Sequence, residues 1–260
     1  MQLENKVAFI TGGSSGMGKA TAQLFAAEGA RVALLDRTPD RLQQTVSEIC
    51  DAGGQALGVL ADVSNPEQMQ NAVQQVADAW GTIDIVFANA GINGVWAALE
   101  DITPEEWDTT LNVNLKGTFL TVKYALPYLK QQGGSVIITA SVNGTRMFSN
   151  SGATAYSCSK AAQVAFAKMT AVELARHKIR VNAICPGWIR TDIGQNTERR
   201  NTEGLRHPVH FPEGNIPLTG GHPGTVEQIA QLVLFLASDL SSHISGTEMW
   251  IDGAQSLVVG

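Results

Sequence analysis

The chain has 260 residues, 44% of them hydrophobic, and a formal net charge of −6 at pH 7. This length and apolar content allow a full hydrophobic core, and the acidic balance without a basic stripe argues against a nucleic-acid partner. The N-terminus lacks the basic and apolar regions of a signal peptide, and no apolar stretch reaches the ~20 residues of a membrane span. We therefore expect a cytoplasmic protein without a membrane partner.

Short apolar runs rich in Val and Ile alternate with longer helical patterns along the chain. The predicted strands are residues 7–11, 31–35, 56–60, 83–88, 135–139, 180–184 and 248–251. The predicted helices are residues 18–28, 41–52, 67–80, 107–131, 156–176 and 226–238. Continuous apolar strands separated by helices indicate a parallel sheet covered on both faces. The sequence thus predicts an α/β fold: a single doubly wound Rossmann-type domain over residues 1–260, with a seven-stranded parallel sheet and helices on both faces.

The first predicted strand runs into a glycine-rich turn that precedes a helix. Glycines let the backbone turn tightly and approach a pyrophosphate, which the helix N-terminus would bind. The spacing differs from G-x-G-x-x-G, and a plain strand–helix connection is the alternative, but the position after the first strand favours phosphate binding. The predicted contacts are Gly12, Ser14, Ser15, Gly16, Met17 and Gly18.

Acidic and small residues follow the next three predicted strands. Asp36 stands about 20 positions after the turn, where a carboxylate can bind the adenosine ribose and repel a 2′-phosphate, which favours NAD. Arg37 could instead bind that phosphate, so NADP stays possible, and a turn-capping role for Asp36 is the third interpretation. Because the carboxyl ends of parallel strands meet at one edge, we predict further cofactor contacts there. They are Asp62, Val63, Asn89, Ala90 and Gly91.

Tyr156 and Lys160 stand four residues apart in a strong helical pattern, which puts both side chains on one helix face. A free phenol titrates at about 10, and a nearby ammonium favours the phenolate. The spacing alone is weak evidence, because it arises by chance in many helices. Together with the glycine turn it indicates a proton donor beside a nucleotide.

Residues 192–223 break the alternation of strands and helices. The stretch has no clear strand and is rich in Pro, Gly, His and Arg, which is typical of lids and binding loops. We predict a substrate lid at about 192–223. Its basic residues hint at an anionic substrate, although such side chains are more often solvated surface charges. They are Arg190, Arg199, Arg200 and Arg206.

Cysteine and histidine give no sign of a disulfide framework or a metal site, and we predict no metal. The three cysteines, Cys50, Cys158 and Cys185, are a sparse, odd set, which indicates a reducing compartment. The five histidines lack metal-ligand spacing. Cys158 is either a reactive thiol or, as we favour, a small semi-buried helix residue, because no partner base is evident.

These motifs together resemble the short-chain dehydrogenase/reductase family over nearly the whole chain. The motifs in the family's order are Thr11-Gly12-x-x-x-Gly16-x-Gly18, Asn89-Ala90-Gly91, Asn114, Ser141, Tyr156-x-x-x-Lys160 and Pro186-Gly187. The resemblance implies NAD(P)-dependent interconversion of a secondary alcohol and a ketone. It implies that Tyr156 is the general acid/base, that Lys160 binds the nicotinamide ribose and lowers the tyrosine pKa, and that Ser141 hydrogen-bonds the substrate oxygen.

The resemblance also assigns supporting residues. Asn114 resembles the residue that bends a helix and holds a relay water, with Asn112 as the competing candidate. The nicotinamide segment would consist of Pro186, Gly187, Ile189 and Thr191, with Ile189 offering its backbone to the carboxamide. Asn143 and Trp188 are predicted to line the substrate pocket. The gap of 15 between Ser141 and Tyr156 is about two longer than the commonest family spacing, so the intervening loop reshapes the pocket or is absorbed without moving either residue.

Three functions remain open at this point. The leading one is an NAD(H)-preferring oxidoreductase acting on a small-molecule alcohol or ketone. The second is an NADPH-dependent 3-oxoacyl-thioester reductase, and the third is a non-catalytic dinucleotide-binding regulator. The resemblance further implies a homodimer or homotetramer assembled through the helices predicted at 107–131 and 156–176. The apolar tail at residues 257–259 is expected near a subunit interface.

Overall fold

Nine strands and eight helices make up the regular structure of the computed structural model, which describes residues 1–191, 193–194, 197–205 and 209–259. The strands are β1 (Val7–Thr11), β2 (Arg31–Asp36), β3 (Gln55–Leu60), β4 (Ile85–Ala88), β5 (Gly94–Trp96), β6 (Gly134–Thr139), β7 (Ile179–Pro186), β8 (Thr197–Arg199) and β9 (Glu248–Ile251). The helices are α1 (Gly16–Ala27), α2 (Pro39–Asp51), α3 (Pro66–Trp80), α4 (Pro104–Leu111), α5 (Gly117–Gln132), α6 (Thr154–Leu174), α7 (Val226–Ala237) and α8 (Gln255–Val258).

Seven strands form one parallel sheet in the order β3-β2-β1-β4-β6-β7-β9. The chain builds outward from β1 to β3 on one side and then crosses to β4 on the other. The carboxyl ends of β1 and β4 therefore form the switch point at which open α/β sheets bind ligands. The prediction of a seven-stranded parallel sheet is confirmed.

Both faces of the sheet are covered. Within β1, Val7 and Phe9 lie in one hydrophobic cluster, and Ala8 and Ile10 lie in the other. Successive strand side chains point to opposite faces, so this strand can be apolar throughout only because both faces are buried. Helices α3, α5 and α6 contribute to the first cluster, and α1, α2 and α7 contribute to the second. The doubly wound arrangement is confirmed.

The predicted helix at 107–131 is wrong in its extent and continuity. It is divided into α4, a π-helical segment at Asn112–Lys116, and α5. α4 begins three residues earlier than predicted because Thr103 and Glu106 form a capping box at its N-terminus. The other predicted strands and helices are present, with ends that differ by at most two residues.

The predicted lid contains a strand that the sequence analysis missed. β8 pairs in parallel with β5 in a separate two-stranded sheet. Arg200, just after β8, makes a bidentate ion pair with Glu106, with Nη1–Oε1 and Nη2–Oε2 distances of 2.9 and 2.8 Å. The first part of the lid is thus attached to the N-terminal turn of α4. Residues 192, 195–196 and 206–208 of the predicted lid, including Arg206, lie outside the described residues.

Among the described residues, no helix combines the length and apolar character that crossing a bilayer requires.

Candidate active site

The glycine turn after β1 has a backbone that other residues would not fit. Gly12 and Gly16 adopt φ angles of +65° and +49°. A Cβ atom on Gly18 would lie 2.1 Å from the carbonyl oxygen of Gly12, so α1 packs directly against the turn. Ser14 is buried and is not among the residues that line the cleft, and its amide donates to Asp36 Oδ2 over 3.4 Å. The turn therefore leaves its backbone open to a ligand at the N-terminus of α1.

Hydrogen bonds fix the ends of β1, β4 and β6 at the switch point. The Thr11 hydroxyl accepts from the amides of Asn89 and Ala90, at 3.0 and 3.1 Å. The Asn89 side chain donates from Nδ2 to the Thr11 carbonyl over 3.1 Å, and its Oδ1 accepts from the Thr139 hydroxyl over 3.2 Å. Asn89 thus connects the ends of β1, β4 and β6.

A cleft runs along this edge of the sheet. The predicted residues that line it are Gly12, Ser15, Gly16, Met17, Asp36, Arg37, Asp62, Val63, Asn89, Ala90, Gly91 and Thr191. The lining residues that the sequence analysis missed are Leu35, Thr38, Arg41, Ala61, Ile92, Val113 and Ile193. Most of these are chain neighbours of predicted residues. Arg41, in the first turn of α2, and Ile193, two residues after Thr191, are not immediate neighbours of a predicted residue.

Asp36 caps a turn and also lines the cleft. Its Oδ1 accepts from the amides of Arg37 and Thr38, at 2.8 and 3.1 Å. The two interpretations of this residue from sequence are therefore compatible. Asp62 is engaged within the protein: its carboxylate accepts from the amide and hydroxyl of Ser64, and its own amide donates to Gln68.

Tyr156 and Lys160 are both buried in the first turns of α6. The Lys160 Nζ atom lies 5.5 Å from the centre of the Tyr156 ring and donates to the Thr139 carbonyl over 2.8 Å. Burial raises the pKa of the Tyr156 phenol, and a hydrogen bond with Ser141 opposes that rise. Burial lowers the pKa of Lys160 to about 7. In the protein alone, the phenol keeps its proton and the ammonium loses its own readily.

Ser141 lies at the end of β6 and faces Tyr156. Its Oγ accepts from the amide of Asn143 over 3.1 Å, so the hydroxyl proton is left for another acceptor. The long loop before Tyr156 folds back, and Asn150 donates from Nδ2 to Asn143 Oδ1 over 2.9 Å. The additional residues are therefore accommodated in the loop, and Ser141 stays close enough to Tyr156 to lower the pKa of its phenol.

Asn114 is fully buried in the π-helical segment, whereas Asn112 is exposed. The Asn114 carboxamide pairs with the backbone of Ile92: Oδ1 accepts from its amide over 2.9 Å, and Nδ2 donates to its carbonyl over 3.0 Å. A Cβ atom on Gly91 would lie 3.1 Å from Asn114 Oδ1 and 3.5 Å from Lys160 Nζ. Of the two candidates, only Asn114 lies beside Lys160 and the cleft.

The segment after β7 connects the cleft to the C-terminal region. Trp188 is 55% exposed, and its amide donates to Gln255 Oε1 over 2.9 Å. Ile189 pairs with Gly224 through bonds made by its two chain neighbours, so its own N–H and C=O point away from that partner. Thr191 reaches the glycine turn, with its methyl carbon 3.4 Å from the Cβ position of Gly16. Sequence reasoning missed Gln255.

The residues along this edge fit a dinucleotide. The glycine turn presents bare backbone at a helix N-terminus, which suits a pyrophosphate. Asp36 and Gly91 both line the cleft, and the Cβ position of Gly91 lies 3.5 Å from Lys160 Nζ. Among the described residues, no group of three or more His, Cys, Asp and Glu side chains could hold a metal ion.

Comparisons with known proteins agree with this geometry. A family model described as enoyl-(acyl carrier protein) reductase matches residues 12–254. A 3-oxoacyl-[acyl-carrier-protein] reductase FabG of Thermotoga maritima is 39% identical over 254 residues, covering 97% of this chain and 98% of the relative.

Two solved structures are similar over almost the whole chain. A 3-ketoacyl-ACP reductase from Sinorhizobium meliloti 1021 superposes with a TM-score of 0.93 at 49% identity, covering 97% of this chain and 99% of the other. A short-chain type dehydrogenase/reductase from Mycobacterium marinum superposes with a TM-score of 0.87 at 39% identity, covering 98% and 96%. The chain belongs to the short-chain dehydrogenase/reductase family.

Proposed function

We propose that this protein prefers NAD(H) as its cofactor and uses Tyr156 to move the proton between substrate and solvent. As a member of its family, it is an oxidoreductase that interconverts ketones and alcohols with NAD(P). The cofactor proposal rests on the carboxylate of Asp36, which lines the cleft. This carboxylate accepts hydrogen bonds from the backbone amides of Ser14, Arg37 and Thr38. A negative charge there repels the 2′-phosphate of NADP and accepts hydrogen bonds from an unmodified ribose.

The bound nicotinamide would supply the hydride for reduction or accept it in oxidation. Tyr156 gives its proton to the carbonyl oxygen in reduction and takes it from the hydroxyl in oxidation. Ser141 donates a hydrogen bond to the same oxygen, because its Oγ accepts from the Asn143 amide and its hydroxyl proton is left to donate. A raised phenol pKa keeps Tyr156 in the protonated form that reduction needs. Oxidation needs the phenolate, which the charged form of Lys160 favours.

The roles of the surrounding residues follow from their positions. The glycine turn, Asp62, Val63 and the segment at 89–91 would hold the adenosine and pyrophosphate, and the segment at 186–191 would hold the nicotinamide. Asn143 and Trp188 would line the substrate pocket beneath the lid at about 192–223. Arg200 is one of the four arginines that suggested an anionic substrate. Its guanidinium instead forms a bidentate ion pair with Glu106, which attaches the lid to α4.

A 3-oxoacyl-thioester reductase that uses NADPH is the second candidate. Arg37 and Arg41 both line the cleft beside Asp36 and can supply two guanidinium groups to a 2′-phosphate. Two of the similar proteins are named as acyl-carrier-protein reductases. A regulator that only binds the dinucleotide finds no support among these relatives, whose names are those of enzymes.

We also propose a cytoplasmic homodimer or homotetramer assembled through α5 and α6. Phe119, Met169 and Val172 lie on these helices and are 43%, 74% and 82% exposed, which is unusual for large apolar side chains on a monomer. Leu257, in the apolar tail, is 70% exposed. Light scattering of the purified protein tests this, and a monomer at micromolar concentration would contradict it.

The test of the cofactor proposal is titration of the purified protein with NADH and NADPH separately, followed by nicotinamide fluorescence. We expect tighter binding of NADH. Tighter binding of NADPH would contradict the proposal, make the two arginines the dominant contacts, and favour the 3-oxoacyl reductase.

Replacing Asp36 by Asn is expected to shift the ratio of NADPH to NADH affinity toward NADPH by at least about tenfold, or ~1.4 kcal/mol. The amide oxygen can still accept from Arg37 and Thr38, so the turn is kept while the charge is removed. The same titration measures the effect. Asp40→Asn, an exposed acid outside the cleft lining, is the control for general charge and should leave the ratio unchanged. A shift below tenfold for Asp36→Asn would show that the carboxylate is not the selector.

A further inference from the structure

A buried glutamine of α6 contacts the π-helical segment. Gln163 is fully buried, one turn after Lys160. Its Nε2 atom donates to the Asn114 carbonyl over 3.0 Å and to the Thr118 hydroxyl over 2.7 Å. The Thr118 hydroxyl in turn donates to the same Asn114 carbonyl over 2.8 Å. A carbonyl oxygen has two lone pairs, so protein donors occupy both acceptor positions of Asn114.

A glutamine at position 163 makes the fold less stable than an apolar side chain of similar volume would. Its Oε1 atom is buried without a hydrogen-bond partner among the described residues. An unpaired buried acceptor destabilises a fold, a cost that an apolar side chain of similar volume would avoid. The reversed amide would place Oε1 against the Asn114 carbonyl, so the orientation follows from the contacts. The side chain therefore satisfies the π-helical carbonyl and leaves its own oxygen unpaired.

The Asn114 side chain connects the π-helical segment to the residues around Tyr156 and Lys160. Its Nδ2 atom donates to the Ser159 hydroxyl over 2.9 Å, and that hydroxyl donates to the Tyr156 carbonyl over 2.6 Å. The same carboxamide fixes Ile92 beside Gly91 and Lys160. A shift of the π-helical backbone would therefore move the turn of α6 that carries Tyr156 relative to the cleft.

We propose that Gln163 is a positioning residue for the proposed reaction, because it holds the Asn114 carbonyl and with it the π-helical segment. It acts through Asn114 and does not touch substrate or cofactor. In this chain, the Asn114 carbonyl is a structural acceptor, and the carboxamide of Asn114 is the group that sets the geometry of Tyr156 and Lys160. The proposal rests on the proposed roles of those two residues.

The test is Gln163→Met, a substitution of similar volume without polar atoms. We expect kcat to fall about tenfold or more, because small misplacements of reacting groups have effects of that size. We expect the dissociation constant of NADH to stay within threefold and the melting temperature to stay unchanged or rise, since the unpaired oxygen is removed. Turnover is measured with cyclohexanol, cyclohexanone and ethyl acetoacetate, and the most reactive of these is used for the comparison.

Two further variants separate positioning from folding. Thr118→Val removes the other donor to Asn114 and should lower kcat in the same way. Thr170→Val removes a hydroxyl that bonds only within α6, to the Phe166 carbonyl over 2.7 Å and the Ala167 carbonyl over 3.3 Å, and should leave kcat unchanged. Wild-type kcat in Gln163→Met, or a loss of kcat matched by a lower melting temperature, would overturn this proposal alone. A wild-type protein that binds neither NADH nor NADPH would overturn it together with the proposed function.

Discussion

Tyr156→Phe is expected to lower kcat by about 10²–10⁴-fold, the usual contribution of a positioned acid/base. Phenylalanine keeps the ring in its buried site and removes only the hydroxyl that faces Ser141. Binding of NADH should stay within threefold, because the cleft lining around the glycine turn and Asp36 is untouched. Stopped-flow or steady-state absorbance of the nicotinamide measures turnover, and fluorescence titration measures binding.

Tyr128→Phe is the matched control for this substitution. Tyr128 lies on α5, and its hydroxyl donates to Gln74 over 3.2 Å, away from the cleft. That variant should keep wild-type turnover. If Tyr156→Phe kept more than a tenth of the wild-type kcat, another group would have to supply the proton. If it lost NADH binding as well as turnover, the phenol would be a structural element of the cleft.

Lys160→Met is expected to stabilise the cofactor-free protein while lowering kcat by at least about 10²-fold. Burial lowers the pKa of this lysine from its ordinary value of 10.5 to about 7, so the unfolded chain holds the proton more tightly than the folded one. The resulting penalty is fully present below about pH 7 and disappears as the pH rises toward 10.5. Each pKa unit corresponds to ~1.4 kcal/mol, so roughly 3 kcal/mol remains after the lost hydrogen bond to Thr139 is subtracted.

Thermal unfolding without cofactor across pH 6 to 10 checks the sign of this effect. The melting temperature of Lys160→Met should exceed that of the wild type by about 5–10 °C near pH 6. The difference should narrow steadily toward pH 10. Lys130→Met, at an exposed lysine on α5, should show no such trend. A lower melting temperature for Lys160→Met near pH 6 would mean that the hydrogen bond to Thr139 outweighs the burial of the charge.

The main sheet could be predicted because each of its strands corresponds to a short, continuous sequence pattern. The central strands are short apolar runs buried on both faces and bounded by turn residues, and the edge strands β3 and β9 are partly exposed but keep enough apolar residues to be recognised. β5 and β8 could not be predicted in this way. Each has three residues, β8 is polar, and each exists because of the other, about 100 residues away along the chain. The same holds for the pair of Arg200 with Glu106, whose partners are 94 positions apart.

In the candidate site, too, some residues could be predicted from local sequence and others depend on distant partners. The glycine turn, Asp36 and the Asn89 segment carry their function in local spacing, so the sequence places them at one edge. Gln163 and Gln255 have partners 49 and 67 positions away, which only packing brings together. A signal did exist for Gln163, because it stands three residues after Lys160 and therefore on the same face of the helix. Burial raises the pKa of Tyr156, and the spacing of Tyr156 and Lys160 in the sequence gives no information about burial.

The position of β9 at the edge of the sheet has a consequence for how the protein is made. β7 pairs with β6 on one side and with β9 on the other. About 60 residues separate the end of β7 from β9, and at about 5–20 residues per second a ribosome needs roughly 3–12 seconds to add them. During that interval the nascent chain presents an apolar strand with an unpaired row of backbone N–H and C=O groups, the kind of edge that templates aggregation. The stage of synthesis most exposed to chaperones and to self-association thus comes late, after β7 is complete and before β9 emerges.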